Sequence, residues 1–488
     1  MQLKDLLEGV EVLSATADME REISAVCYDS RTARPGSLFV AMTGYAFDGH
    51  AFIEQAYRNG ACAAVCERPP EGAAIPYAQV RNSRRALAVI GANFYGRPAD
   101  RMTMIGVTGT NGKTTTTYLL KAILEREPGV KVGLIGTNQN LIGAEVLPTE
   151  RTTPESFELQ RLFARMLDAG CTHVVMEVSS HALYLDRVYG VRYAVGVFTN
   201  LTQDHLDFHK TMENYCDAKA ILFRNCEKGV VNADDPWTER VLKGATCEKL
   251  TFGQSPNADL RAEDVELAAD HVAFTAVTPK ACTPVRVNIP GEFMVYNTLD
   301  ALGAALALGI PLDRSAAALR DVPHVKGRME VAPTPGKPYT ILIDYAHTPD
   351  GLENALKSVK GFAKGRTIAV FGCGGDRDKG KRPKMGAIAA ANADFVVVTT
   401  DNPRTESPSA IIADILPGME GTETPYVVIE DRVKAIRYCM DNAQPGDVIV
   451  LCGKGHETYQ EIGQIKYPMD ERKIVAGYLS PSARYFGK

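Results

Sequence analysis

The chain is poor in cysteine. Eleven occur among 488 residues, an odd number, and no CxxC pair is present; the closest spacing is Cys62 to Cys66. That pattern argues against a disulfide framework and against a thiolate zinc site, and it points to a reducing, cytoplasmic compartment. An excess of positive charge is also missing. Lys and Arg total 54 against 59 Asp and Glu, a formal net charge of −5. A general nucleic-acid binder presents a basic face, so nucleic acid is not an expected partner. No apolar run approaches the ~18 residues that suggest a membrane span. The longest candidate, Ala301 to Leu312, is bracketed by Asp300 and Asp313, so no membrane insertion is expected. The N-terminal segment MQLKDLLEGVEVL is acidic and lacks the charged-then-apolar layout of a signal peptide. Neither a repeat of roughly 20–50 residues nor a low-complexity tract is found.

What is present is ordinary globular composition, 45% apolar and 23% charged. The length suggests about three domains. In the first hundred residues, short apolar runs such as SLFVAM and ACAAVCE are separated by Pro and Gly, and RPAD, Arg97 to Asp100, reads as a linker. MTMIGV then reads as a buried strand, followed by a Gly/Thr loop and a helix from Lys113 to about Arg126. From Glu155 to Ala169, Leu159, Leu162, Phe163, Met166 and Leu167 share one helical face, and Gly170 stops the helix. THVVMEV, AVGVFTN and GVVNADD read as further strands. This alternation predicts an α/β fold with a parallel sheet covered on both faces. Beyond Gly327–Arg328, YTILIDYAHTPD, RTIAVFGCGG, ADFVVVTTDNP and DVIVLCGKGHE each run from an apolar strand into a polar loop. That is a second α/β domain, with loops at the strand ends where open sheets bind ligands. The expected domains are residues 1–98, 99–328 and 329–488.

The strongest local signal is Thr108-Gly109-Thr110-Asn111-Gly112-Lys113-Thr114. A strict phosphate-loop pattern has Gly where this chain has Val107, yet the mechanism is intact. Gly109 and Gly112 let backbone amides approach phosphate, Lys113 can reach the β- and γ-phosphates, and the Thr114 hydroxyl can hold Mg²⁺. Glu177 ends the strand THVVMEV and runs into Ser179, Ser180 and His181, while His205 lies in QDHLDFH just past another strand. Taken singly each reads as a cap or a satisfied histidine; after a phosphate loop, their shared place at strand ends makes them candidate metal organisers. In TMENYCDAKAILF, Lys219 falls on the apolar stripe of Met212, Tyr215, Cys216, Leu222 and Phe223. Two readings stand: a snorkelling lysine whose head reaches water, or a lysine held inside the active site, open to chemical modification.

TGTNGKTTT, EVSSHAL, NLTQDHLDFH with its downstream lysine, GRME, DYAHTPD, GCGGDRDKGKRP, DNPRTE and GKGHE occur here in the order found in Mur ligases. The chain resembles that family from Asp29-Ser30-Arg31 to about Glu461. TGTNGKT is shared with folylpolyglutamate synthetases; DNPR and GKGHE together are more specific. The resemblance implies three domains: an N-terminal one that binds a uridine nucleotide, a central P-loop ATPase-like parallel sheet that binds ATP, and a C-terminal Rossmann-like domain that brings an amino acid. It implies Mg²⁺ held by Thr114, Glu177, His205 and a carbamylated Lys219. It places adenosine or its phosphates at Asn297, Arg328 and Asp344, and a UDP-sugar-peptide at Ser30, Thr152, Thr153, Ser179 and Arg187. Arg151 and Leu185 depart from residues found in some relatives, Asn and Gln.

The family divides by the amino acid added, meso-diaminopimelate or L-lysine, which differ by one carboxylate. A diaminopimelate enzyme should present a cation that lysine could not use. In Asp401-Asn402-Pro403-Arg404, Arg404 can grip a carboxylate through two parallel hydrogen bonds. Relatives that add diaminopimelate carry this motif, and Arg377, Gly453 and Glu457 match further contacts. The implied activity is an ATP-dependent, ADP-forming amide ligase. It would join meso-diaminopimelate to UDP-N-acetylmuramoyl-L-alanyl-D-glutamate, in peptidoglycan precursor synthesis, and act as a monomer. The alternatives are a lysine-adding or folate-directed ligase of the same superfamily, a P-loop NTPase switch, and an inactive binding module.

Overall fold

The computed structural model describes residues 1–44, 48–70, 75–149, 151–268, 271–322 and 325–480. Three sheets of five, eleven and six strands organise it, with a two-stranded hairpin near the C-terminus. The first sheet lies within residues 12–80; its strands are parallel except Val12–Ala15 against Tyr77–Val80. At the centre of the eleven-stranded sheet, Val132–Ile135, His173–Glu177, Thr103–Thr108, Tyr193–Phe198, Cys226–Asn232 and Glu248–Gly253 run parallel in that spatial order. The third sheet aligns Thr340–Asp344, Val448–Cys452, Thr367–Phe371, Phe395–Val398 and Tyr426–Val428 in parallel, with Glu330–Ala332 antiparallel at one edge.

Strand pleating explains why both faces of the central sheet are covered. Successive side chains point to opposite sides. Ile105, Val107 and Val175 enter the core that contains Leu119, Leu120 and Leu299, whereas Met104, Val174 and Met176 enter the one that contains Leu159, Phe163, Met166 and Leu222. The first group packs under helices Lys113–Leu124 and Phe293–Ala307, the second under Ser156–Asp168 and Met212–Phe223. A lysine or aspartate set among such residues must find a polar partner or lose its charge.

Two sequence expectations need amending. RPAD is not a free linker: Pro98–Arg101 is a 3-10 turn with Pro98 and Ala99 buried, and Ala99 joins the core of helix Ser156–Asp168. The central sheet is parallel only in its middle. Val272–Thr278 and Ala281–Val287 extend one edge antiparallel, and Asn140–Ile142 with Glu145–Leu147 extends the other. Val272–Thr278 alternates buried with half-buried residues over its first five positions, and Ala281–Val287 is largely exposed, while Asn140–Ile142 and Glu145–Leu147 are only three residues long, so none offers the long continuous apolar run of a buried strand. The apolar run from Ala301 to Leu312 ends one buried helix, Phe293–Ala307, and begins the next, Leu312–Leu319. Among the described residues no helix is long and apolar enough to cross a membrane. All eleven cysteines are unbonded thiols.

Candidate active site

Strand Thr103–Thr108 delivers the chain into the loop Gly109–Gly112, and helix Lys113–Leu124 leaves it. Gly112 has φ +87°, which glycine adopts without strain, and an added Cβ would lie 2.3 Å from Asn297 Oδ1. At Gly109 a Cβ would fall 1.8 Å from Thr199 Oγ1. The loop is thus pressed between the next strand's end and helix Phe293–Ala307, which is what carries Asn297 to it. Lys113 Nζ donates to the carbonyls of Gly109 and Thr110, at 2.9 and 2.8 Å. Thr114 Oγ1 donates to Glu177 Oε1 and accepts from Arg328 Nη2, both at 2.9 Å. Glu177 also accepts from the Thr137 amide and hydroxyl, each at 2.9 Å, so its carboxylate is held at the helix N-terminus.

Lys219 is 1% exposed. Its Nζ donates to Gly109 O at 2.7 Å and lies 4.4 Å from the Tyr215 ring centroid. Of the two readings left open by spacing, the inward one is what the fold adopts, because helix Met212–Phe223 turns this face onto the loop. Burial pushes Lys219 well below the ordinary lysine range, and Lys113 nearby pushes the same way. Lys113 is lowered too, by burial, against the pull of Glu177 and Asp204. His205 has φ 53° and starts the short helix Leu206–His209. Burial holds its ring down at about 4, so it is neutral near pH 7 even with Asp204 Oδ2 3.4 Å away.

These groups line one cavity of about 570 Å³, together with Thr152, Ser179, Asn297, Arg328 and Asp344. Among the lining residues absent from the sequence-based site are Asp204, Tyr345 and Asp350. Asp350 accepts from Asn111 Nδ2 at 2.5 Å, tying the phosphate loop to the C-terminal domain. The Arg328 guanidinium sits 4.9 Å from the Tyr345 ring centroid. The motif DYAHTPD contains Tyr345 and Asp350, so a signal was present, but spacing does not say which of its members face the loop.

The remaining candidates, Ser30 excepted, fall into two further groups. Thr153 donates to Glu177 O at 2.8 Å, and Arg187 lies 3.3 Å from Glu155 Oε2, which Arg84 and Arg151 also approach at 3.6 and 3.9 Å. Arg151, which departs from some relatives, therefore faces a buried carboxylate. Ser30 stands apart in the N-terminal domain, buried, its carbonyl accepting from Asn59 Nδ2 at 2.8 Å. In the C-terminal domain, Asp401 to Arg404 follow strand Phe395–Val398, and Gly453 follows Val448–Cys452. Asn402 Nδ2 donates to Glu457 Oε2 at 3.0 Å, and the fully buried Lys454 pairs with the same Glu457. Gly453 has φ +108°, and a Cβ there would meet Asp401 Oδ2 at 2.5 Å. The Arg404 guanidinium donates from Nη1 to Gly375 O at 2.8 Å, while Arg377, more exposed, donates from Nη1 to Asp376 O at 2.9 Å. This group meets the cavity lining where the Gly453 amide donates to Asp344 O at 3.0 Å.

Family models match most of the chain: Mur ligase family, catalytic domain, over residues 22–95; Mur ligase middle domain over 107–305; and Mur ligase, glutamate ligase domain, over 327–455. A protein of Clostridium botulinum named UDP-N-acetylmuramoyl-L-alanyl-D-glutamate–2,6-diaminopimelate ligase is 48% identical over 480 residues, 97% of this chain and 99% of its own. One of the same name from Caldanaerobacter subterraneus is 48% identical over 486 residues, 99% of this chain and all of its own. A solved structure bearing that enzyme name superposes with a TM-score of 0.70 at 31% identity, covering both chains fully.

Proposed function

The chain belongs to the Mur ligase family, and on that premise we propose that it joins meso-2,6-diaminopimelate to UDP-N-acetylmuramoyl-L-alanyl-D-glutamate, with ATP cleaved to ADP and phosphate, in peptidoglycan precursor synthesis. What carries the reading is that the likeness runs unbroken from the nucleotide-binding end through the phosphate loop to the amino-acid loop with Arg404. The proposed division of labour follows the domains at 1–98, 99–328 and 329–488. The protein acts as a cytoplasmic monomer on three small-molecule substrates.

A carboxylate is a poor electrophile. One oxygen of the D-glutamyl γ-carboxylate therefore attacks the γ-phosphorus of ATP, and ADP leaves. The amine of diaminopimelate attacks the acyl carbon of the resulting acyl phosphate. The tetrahedral adduct loses a proton from nitrogen and expels phosphate, leaving the amide. Loop amides from Gly109 to Gly112 cradle phosphate, Lys113 faces the transferring group with a fixed charge, and Asn297, Arg328 and Asp344 hold the rest of the nucleotide. Ser30, Thr152, Thr153, Ser179 and Arg187 hold the acceptor.

Thr114 Oγ1 and Glu177 Oε1, 2.9 Å apart at a helix N-terminus, are the hard oxygen donors that magnesium takes beside phosphate and water. Bound there, the ion would neutralise charge on the phosphoryl group. His205 presents a neutral ring nitrogen. Lys219 becomes a ligand only once its amine has added to carbon dioxide, forming an N–C bond and releasing a proton; the carbamate then offers oxygen where an ammonium offered none.

Purified protein given ATP, Mg²⁺ and the UDP-dipeptide should release phosphate with meso-diaminopimelate and far less with L-lysine. A preference for lysine would overturn the assignment. Arg404→Ala tests the amino-acid site. Since Glu461 already shares the guanidinium, the loss sits at the lower end for a charge-assisted pair, about 2–3 kcal/mol or roughly 30- to 150-fold in kcat/KM for diaminopimelate. Lysine use should fall less. An equal fall for both would mean that Arg404 only orders its loop.

A further inference from the structure

Arg404 is one of the non-glycine residues in the left-handed region, with φ 49°. Such a backbone persists only where its surroundings hold it. Here the holder is the first strand of the hairpin Tyr459–Ile462 and Ile465–Pro468. Gln460 Nε2 donates to Asp401 O at 2.7 Å, and the Glu461 amide donates to Asn402 Oδ1 at 2.9 Å. The Arg404 amide donates to Glu461 O at 3.1 Å, and the Gly463 amide donates to Arg404 O at 2.7 Å. The strand thus grips residues 401, 402 and 404 in turn. Glu461 adds a side-chain bond: its Oε2 accepts from Arg404 Nε at 3.0 Å.

The two side chains are 19% and 25% exposed, so the pair stands at the surface of the site. With Nε taken by Glu461 and Nη1 anchored on Gly375 O, the guanidinium plane is set from two sides. With Nε and Nη1 so fixed, a carboxylate would meet Nη2 and the second N–H of Nη1. A guanidinium grips a carboxylate with two parallel bonds only when its plane is oriented beforehand, and orientation supplied by the protein lowers the entropy lost on binding.

We infer that Glu461 is a positioning residue that sets the Arg404 guanidinium for the distal carboxylate of the incoming amino acid. The inference rests on the diaminopimelate reading given above. Glu461 does not touch the substrate; it acts through Arg404.

Steady-state kinetics of Glu461→Ala, Glu461→Gln and Glu461→Lys test it, with meso-diaminopimelate varied at saturating ATP and UDP-dipeptide. Glu461→Ala should raise KM for diaminopimelate about ten-fold while kcat stays within about two-fold and KM for ATP is unchanged. Glu461→Gln keeps an oxygen that accepts from Nε and should recover most of the loss. Glu461→Lys sets a cation against Arg404 and should exceed the alanine variant. An unchanged KM for diaminopimelate in Glu461→Ala overturns the inference. So does a joint rise in the KM values for ATP and diaminopimelate, which is what a loosened domain would produce. Failure of the underlying reading looks different, since wild-type protein would then not use diaminopimelate at all.

Discussion

Lys113→Ala is expected to lose amide formation by roughly 10³-fold or more, the order found when a fixed charge is removed from a phosphoryl-transfer site. The lysine emerges at the first turn of helix Lys113–Leu124, folded back on the Gly109 and Thr110 carbonyls. Nothing else in the loop supplies a cation on that side; the buried Lys219 approaches Gly109 O from helix Met212–Phe223. The same burial that makes the charge effective makes it costly. Removing Lys113 relieves both desolvation and repulsion with Lys219, so the melting temperature should hold or rise while activity collapses. Phosphate release at saturating substrates, measured beside a thermal melt, separates the two effects. Turnover near that of wild type would sink the phosphate-loop assignment. A parallel loss of activity and stability would show Lys113 acting as a structural plug.

Lys219→Ala should be nearly as damaging, by a different route. The proposed active form carries a carbamate, so wild-type protein stripped of carbon dioxide should lose activity and regain it on adding bicarbonate. The alanine variant should ignore bicarbonate. Formate or acetate could instead enter the space left beside Gly109 and return part of the rate. Labelled bicarbonate followed by carbon-13 NMR would report the modified nitrogen directly in wild type and its absence in the variant. Activity indifferent to carbon dioxide would leave Lys219 as an anchor for the Gly109 carbonyl, the bond it makes at 2.7 Å.

Much of the site was legible because it is local. From Thr108 to Thr114, strand end, glycines, lysine and threonine are adjacent in the chain, and their chemistry follows from that adjacency. Lys219 was legible for another reason: helical periodicity puts it among apolar residues, and a lysine there must be accounted for. Spacing alone could not choose between snorkelling and capture. That choice depended on what helix Met212–Phe223 packs against, which is the loop 110 residues earlier.

Glu461 was not legible. It is an exposed-looking glutamate in YQEIGQ, and nothing within that stretch names its partner. Arg404 lies 57 residues away and reaches it only because the hairpin forms a bridge with the loop after strand Phe395–Val398. Asp350 is similar: its bond to Asn111 spans 239 residues and joins the phosphate loop to helix Pro349–Lys360. The antiparallel edges of the central sheet escaped notice for a related reason. Half-buried strands alternate apolar and polar residues, and short alternations are weak signals beside the continuous runs of a buried parallel strand.

By itself, the amino-acid sequence determined the α/β class, several of the strands and helices of the parallel sheets, the phosphate loop, and the residue types available for chemistry. These depend on periodicity and on neighbours within a few positions, where backbone geometry alone links sequence to structure. Tertiary structure alone decided which distant groups meet: Thr114 with Glu177 and Arg328, Lys219 with Gly109, Arg404 with Glu461, and Asn111 with Asp350. It also decided how tightly they hold their protons, because desolvation lowers Lys113, Lys219 and His205 only once the helices and loops have closed over them. Burial is a property of the packed chain, and no local stretch of sequence contains it.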